Sequence, residues 1–264
     1  MNIQPVPASR LVCDRLASGC DTMKELLLHL LDGNGRVAEE VHGLRKLGKS
    51  LRGGFSLFRL EKTAVPEIQA VGRILSGQRD AVSRLHTWAK LGWVGDAGTS
   101  AAIIGLLEKQ THSAARRPPP DTIAWCVARV DAARNELNKL PEEDLDKRMA
   151  QGLGKLQQKA LKRCGKLDHR AGEDFHEARK ALKALLGAVG FLPEGMVPLD
   201  QALLDLAALL GDENDLTTLS DWLAKHGFTA RFAPDLWKTL ASARREIQRK
   251  AIKSAARLSP AALG

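Results

Sequence analysis

The sequence predicts an all-α fold, and three observations indicate it. Leu, Ala, Lys, Arg and Glu, all good helix formers, dominate the 264 residues, and Tyr is absent. Val and Ile are scattered along the chain instead of alternating with polar residues, so no stretch shows the two-residue period of a β-strand. Gly and Pro residues punctuate the chain between amphipathic segments. We therefore expect helices joined by short loops.

These breakers set the order of the predicted helices. They stand at Gly33-Asn34-Gly35 and at Pro66, Pro141, Pro193, Pro198 and Pro234. In the first half, helices are predicted over residues 9–32, 36–60, 65–76, 80–92 and 100–116. In the second half, they are predicted over residues 121–139, 143–167, 172–190, 198–211, 215–226 and 234–257. Asp80 and Asp215 each begin a predicted helix, which indicates an N-cap; the alternative is that they orient a basic side chain.

The strongest break is the run Arg116-Arg117-Pro118-Pro119-Pro120-Asp121. Consecutive prolines cannot continue a helix and favour an extended spacer. Asp121 then offers an N-cap for the helix that follows. The run therefore predicts two helical halves, residues 1–117 and residues 118–264.

The charge of the chain points to an anionic partner. The net charge is +9 and the isoelectric point is near 9.6, which suits nucleic acid, polyphosphate or an acidic membrane surface. The charge is also clustered, because residues 41–60 and 147–167 contain basic residues and no acid. A solvated basic face is the alternative explanation for such clusters.

Several function classes are disfavoured. The cysteines, Cys13, Cys20, Cys126 and Cys164, lack the spacing of a zinc site or a disulfide frame, which suits thiols in a reducing compartment. No signal peptide and no apolar run of membrane-spanning length stand out, so we expect a cytoplasmic protein without membrane insertion. No phosphate-binding glycine loop, nucleophile elbow or zinc-protease motif occurs.

A basic helical motif occurs twice. Residues 42–51 and residues 176–185 both follow the pattern His-x-x-Arg-Lys-x-x-Lys-x-Leu. On a helix the His, the Arg and the second Lys share one face, and Arg52 extends that face in the first copy. Arg offers phosphate a planar fork of donors, and Lys adds a compact charge. Two such faces predict a two-sided cradle for a long anion.

The spacing of these motifs indicates an internal repeat. His42 and His176 are 134 residues apart, and the later Asp80 and Asp215 are 135 residues apart. A nearly constant offset favours duplication of a helical bundle. A further basic stripe on the last predicted helix, Arg245, Arg249, Lys253 and Arg257, either lines the same anion site or is a solvated face.

Together these features resemble the CHAD family, the conserved histidine α-helical domain. Its members have two related bundles, each with a His-x-x-Arg-x-x-x-(Lys/Arg)-(Lys/Arg)-x-Arg helix and a later Leu-Gly-x-x-(Arg/His)-Asp-like segment. His42, Arg45, Lys49 and Arg52 match the first helix, and His176, Arg179 and Lys183 match the second. Residues 78–80 and 210–215 match the later segments, and the resemblance spans about residues 9–258.

The resemblance implies one compact CHAD-like unit of two pseudo-repeated bundles, with a basic central cavity or groove that binds inorganic polyphosphate. The implied contacts are His42, Arg45, Lys46, Lys49, Arg52, His176, Arg179, Lys180, Lys183, Arg245, Arg249 and Lys253. It also implies a bacterial, stand-alone protein at cytoplasmic polyphosphate granules, without catalytic activity, cofactor or metal. Two alternatives stay open: a nucleic-acid-binding protein, and a phosphohydrolase or phosphotransferase that uses His42 or His176.

Overall fold

A computed structural model describes residues 6–32, 37–114, 117–168, 172–197 and 200–258. Within these residues the all-α prediction is confirmed, since the chain forms ten α-helices, one turn of 3₁₀ helix over Glu142–Asp144 and no strand. The helices are α1 (Ala8–Asp32), α2 (Val37–Leu57), α3 (Ala64–Ile74), α4 (Ser76–Leu91), α5 (Ala97–Ala114), α6 (Pro120–Asn138), α7 (Leu145–Cys164), α8 (Gly172–Val189), α9 (Gln201–Lys225) and α10 (Pro234–Ala255).

One predicted break is wrong. The segment from Gly211 to Asp215 was expected to be a turn between two helices, but it lies inside the single helix α9. Leu210 and Leu216 on either side are buried, so the apolar face continues through the segment. The Glu213 carboxylate is also buried, and its Oε1 accepts hydrogen bonds from Arg244 Nε at 2.8 Å and Gln248 Nε2 at 3.0 Å. These contacts with α10 outweigh the weak helix propensity of Gly and Asn.

The predicted N-caps are also wrong. Asp80 lies inside α4, whose N-cap is Leu75, and Asp215 lies inside α9, whose N-cap Asp200 accepts a hydrogen bond from the amide of Ala202. Asp121 follows the first helical residue of α6, because Pro120 already begins that helix. Proline at this position needs no amide hydrogen and has its φ angle already set.

Two hydrophobic cores hold the helices together. The larger lies among α1, α2, α3, α6, α7, α8 and the first part of α9. The smaller joins α4 and α5 to the end of α9 and the start of α10, with Ile103, Leu107, Leu219 and Leu236 fully buried. Both cores draw on residues from each side of the proline run. The pseudo-repeat and the division at residue 117 stay predictions.

The helices that carry the two basic motifs, α2 and α8, pack directly against each other. Glycine permits their close approach, because a Cβ atom on Gly53 of α2 would lie 2.6 Å from the backbone nitrogen of Ala188. Likewise, a Cβ atom on Gly187 of α8 would lie 3.0 Å from the Cα atom of Ser50. The C-terminal parts of the two motif helices are therefore in close contact.

Candidate anion-binding site

The amphipathic character of α2 places its cations on one side. Leu44 and Leu51 are fully buried on the core side of the helix. Arg45, Lys49 and Arg52 follow at spacings of four and three residues and are only partly buried. The core packing of α2 thus holds these three cations in a row beside the neighbouring helices.

A first cavity, the α2–α3 cavity, lies beside this row and has a volume of about 200 Å³. Cations contribute much of its lining, and no carboxylate is among its described lining residues. The lining residues are Arg45, Gly48, Lys49, Arg52, Ile68, Gln69, Gly72, Arg73 and Ser76. Four of its described lining residues, Arg45, Lys49, Arg52 and Arg73, are therefore cations, which attract anionic groups.

A second cavity, the α2–α8 cleft, has a volume of about 300 Å³. Its lining is again free of carboxylates among the described residues and comes from both motif helices. The lining residues are His42, Arg45, Lys46, Lys49, Ser50, Lys183, Leu186 and Gly187. Arg45 and Lys49 line both cavities, so the cleft and the α2–α3 cavity share one basic wall.

Arg45 is positioned by two elements other than its own helix. Its Nη1 donates to the backbone oxygen of Gly72 at 3.3 Å, and its Nη2 donates to Asp80 Oδ1 at 3.3 Å. Asp80 thus contacts a basic side chain, which is the role that the sequence offered as the alternative to an N-cap. The guanidinium is held at the junction of α2, α3 and α4.

Arg52 stands in an unfavourable environment for a cation. Burial, with the nearby Arg45 charge as a smaller cause, lowers the pKa of Arg52. Arg52 forms no ion pair with a carboxylate among the residues that the structure describes. A bound anion would supply the counter-charge that the protein itself does not place there.

The second motif copy reaches the cleft through Lys183 alone. His176 and Lys180 are exposed on α8, and Lys180 Nζ donates to Glu177 at 2.9 Å, which lowers the pKa of that carboxyl. Arg179 is partly buried. None of these three side chains lines the α2–α3 cavity or the α2–α8 cleft.

The basic stripe of α10 also lies apart from both cavities. Arg245, Arg249 and Lys253 are exposed, and neither cavity has a lining residue from α10. Arg245 lines a different cavity, of about 450 Å³, between α9 and α10. A role for these three residues as flanking contacts stays a prediction.

Sequence reasoning missed Arg73. It belongs to α3, a helix without a basic motif, and it enters the α2–α3 cavity only because α3 packs against α2. No spacing along the sequence relates Arg73 to Arg52. Its place in the cavity is a property of the tertiary fold.

Across the described parts of the chain, no group of three or more His, Cys, Asp and Glu side chains could hold a metal ion. No helix in those same parts is long and apolar enough to cross a bilayer.

Comparisons with known proteins agree with this fold. The sequence model of the CHAD domain matches residues 21–224. The chain belongs to the CHAD family. The crystal structure of the CHAD domain from the plant Ricinus communis is similar, with a TM-score of 0.66 and 17% identity over 96% of this chain and 93% of that one. No curated protein matches this sequence.

A second solved structure to which the chain is similar is PptA from Streptomyces chartreusis. It has a TM-score of 0.70 and 17% identity over 96% of this chain and 100% of that one. Both likenesses cover nearly the whole chain, so the CHAD fold extends beyond the residues that the family model matches.

Proposed function

We propose that this CHAD protein binds inorganic polyphosphate in the α2–α3 cavity and the α2–α8 cleft. The observation that carries the proposal is the uncompensated charge at Arg52, which lies partly buried beside Arg45 in a cavity without a carboxylate lining. Phosphate oxygens would accept charge-assisted hydrogen bonds from both guanidinium groups and relieve their repulsion.

A polymer suits the site better than a single phosphate. Arg45 and Lys49 line both cavities, so one chain of phosphates can contact each without leaving the basic wall. Cations three and four residues apart on α2 are about 5–6 Å apart along the helix surface. Lys183 adds a contact from α8, which places cations on two sides of the cleft.

The physics of this binding is largely electrostatic. Each phosphate that pairs with a cation releases a counterion to solution, so affinity falls as salt rises. The protein is a binding module without catalytic activity. It is located at polyphosphate granules. The CHAD resemblance supports this choice of ligand.

Paired variants test the proposal. Lys49→Gln with Lys183→Gln removes one cation from each side of the cleft, and we expect the affinity for long-chain polyphosphate to fall by about tenfold or more. The slope of log K against log salt should fall by about 1.4, as for two lost contacts with a single-stranded polyanion. Calorimetric titration at several salt concentrations measures both quantities.

The matched control is Lys155→Gln with Lys159→Gln, two exposed lysines of α7 that line neither cavity. Equal loss of affinity in the control and the cleft variant would mean that a generic basic surface, and not the cleft, binds the polymer. Release of orthophosphate by the wild-type protein, lost in His42→Ala, would instead favour the phosphohydrolase alternative.

A further inference from the structure

A separate group of cations lies at the junction of α2 and α7. Arg59, Lys147 and Arg148 line a cavity of about 450 Å³ together with Asp144 and Gln151. This third cavity, the α7 cavity, shares no lining residue with the α2–α3 cavity or the α2–α8 cleft. Its cations are therefore available to a ligand other than the one in the cleft.

Arg59 occupies a strained backbone position. Its φ angle is 61°, in the left-handed region that favours glycine and is rare for a long side chain. The residue closes the turn after α2, where its amide donates to the backbone oxygen of Ser56 at 3.2 Å. Its guanidinium reaches the cavity, where Nη1 donates to Gln151 Oε1 at 3.1 Å. The amide of Leu60 donates to the backbone oxygen of Phe55 at 3.1 Å, so the left-handed φ of Arg59 belongs to a Schellman turn that ends α2.

Arg148 has hydrogen-bonding capacity that the protein does not use. Its Nε is buried and has no hydrogen-bond partner among the described residues. Its Nη2 lies 3.9 Å from Asp144 Oδ2, which is long for an ion pair. The buried Nε is out of reach of a ligand, but neither Nη1 nor Nη2 makes a hydrogen bond within the described residues, so a ligand oxygen in the α7 cavity can accept from these terminal nitrogens.

The lining of the α7 cavity carries more cations than carboxylates. Arg59, Lys147 and Arg148 line it with one carboxylate, that of Asp144, whereas the neighbouring acids Glu142, Glu143 and Asp146 do not line it. Asp144 competes with an anionic ligand for Arg148, so its carboxylate should weaken anion binding.

We propose that the α7 cavity is a second anion-binding site, able to take the phosphate groups of a condensed phosphate. The geometry combines the Arg59 guanidinium, the terminal nitrogens of Arg148 and the exposed Lys147 in a cavity large enough for several phosphates. The α7 cavity is separate from the α2–α8 cleft, so anion binding in one does not depend on anion binding in the other.

Inorganic tripolyphosphate is the probe, titrated by calorimetry at low salt into the full-length protein. We expect the double variant Lys147→Gln with Arg148→Gln to lose one class of tripolyphosphate-binding sites. Asp144→Asn should raise the affinity of that class for tripolyphosphate severalfold. The Asp144 side chain makes no cap hydrogen bond to α7, so Asp144→Asn leaves that helix intact.

Arg59→Gly separates a binding role from a structural one. Glycine relieves the left-handed backbone, so the variant should unfold at a higher urea concentration and yet bind tripolyphosphate about tenfold more weakly at this site. A purely structural Arg59 would change the urea midpoint and leave tripolyphosphate binding unchanged, which would overturn its place in the site.

The control for charge is again Lys155→Gln with Lys159→Gln on the same helix. If tripolyphosphate binds Lys147→Gln with Arg148→Gln as well as it binds this control, the proposal is overturned. The Lys49→Gln with Lys183→Gln variant should lose cleft binding and keep the α7 class. The two sites can therefore fail separately.

Discussion

Arg45 of α2 and Asp80 of α4 form an ion pair, with Arg45 Nη2 lying 3.3 Å from Asp80 Oδ1. The arginine side chain is 17% exposed and the aspartate side chain is 43% exposed, so water screens the carboxylate more than the guanidinium. The pair orients Arg45 toward both basic cavities at little energetic gain. Asp80 therefore positions Arg45. Its negative charge also lies close to the proposed anion site and would repel a bound anion.

Asp80→Asn should tighten polyphosphate binding. The amide oxygen can still accept from Arg45, while the negative charge beside the ligand is removed. We expect affinity to rise by about fivefold and the free energy of unfolding to fall by less than about 1 kcal/mol. Calorimetry and urea unfolding check the two effects, with Asp14→Asn, in an exposed pair with Arg10, as the control. A tenfold loss of affinity would show that the charge of Asp80 is needed.

Arg52→Gln should affect stability and binding in opposite directions. The substitution removes a partly buried cation and its repulsion with Arg45, so the free energy of unfolding should rise by about 0.5–1 kcal/mol. Polyphosphate affinity should fall by about tenfold, because a charge-assisted contact is lost. Arg231→Gln, in the loop after α9, is the exposed control. A loss of stability in Arg52→Gln would contradict the claim that the Arg52 charge destabilises the protein when no anion is bound.

Glu213→Ala should be strongly destabilising. The buried carboxylate holds Arg244 and Gln248, so α10 would lose its polar link to α9 and Arg244 would lose its partner. Because Arg244 is 34% exposed, water recovers part of the loss, and we expect about 2–3 kcal/mol. Glu246→Ala, which removes an exposed partner of Lys250, should leave the urea midpoint almost unchanged in the same experiment. Similar costs for both variants would refute a structural role for the Glu213 network.

The cysteines should be unreactive in the folded protein. Burial raises the pKa of Cys20 to about 12 and those of Cys13, Cys126 and Cys164 to about 11. The thiolate is the reactive form, so an aromatic disulfide reagent at pH 8 should modify the native thiols only as fast as the chain opens. Modification at the same rate with and without urea would contradict this.

The same pKa shifts predict alkaline sensitivity. In the unfolded chain these thiols lose protons near pH 9, whereas the folded chain keeps them up to about pH 11. The folded state therefore binds more protons over this window, and the free energy of unfolding should fall as pH rises from 9 to 11. Urea unfolding at several pH values measures the slope. A flat profile would mean that the thiols ionise equally in both states.

Much of the fold could be predicted from the sequence because helix periodicity and breakers are local signals. The face that joins Arg45, Lys49 and Arg52 follows from their spacing alone. The turn predicted at residues 211–215 was wrong because Gly, Asp and Asn favour turns locally, while the bonds from Glu213 to α10 are made only in the tertiary fold.

The candidate site could be predicted only in part, for the same reason. Arg73 and the α7 cavity depend on which helices meet, and a single sequence does not show this. The α10 stripe has helical spacing as regular as that of α2, yet it lies outside both the α2–α3 cavity and the α2–α8 cleft. Spacing indicates which residues share a face, whereas packing decides which face meets a cavity.

Whether the protein binds polyphosphate can be decided by one titration of the wild-type protein. Long-chain polyphosphate and duplex DNA are titrated by calorimetry at matched phosphate concentration, at low salt and at physiological salt. We expect polyphosphate to bind more tightly than DNA and its binding to persist at physiological salt. Equal affinity for both polymers, with both lost at physiological salt, would contradict it.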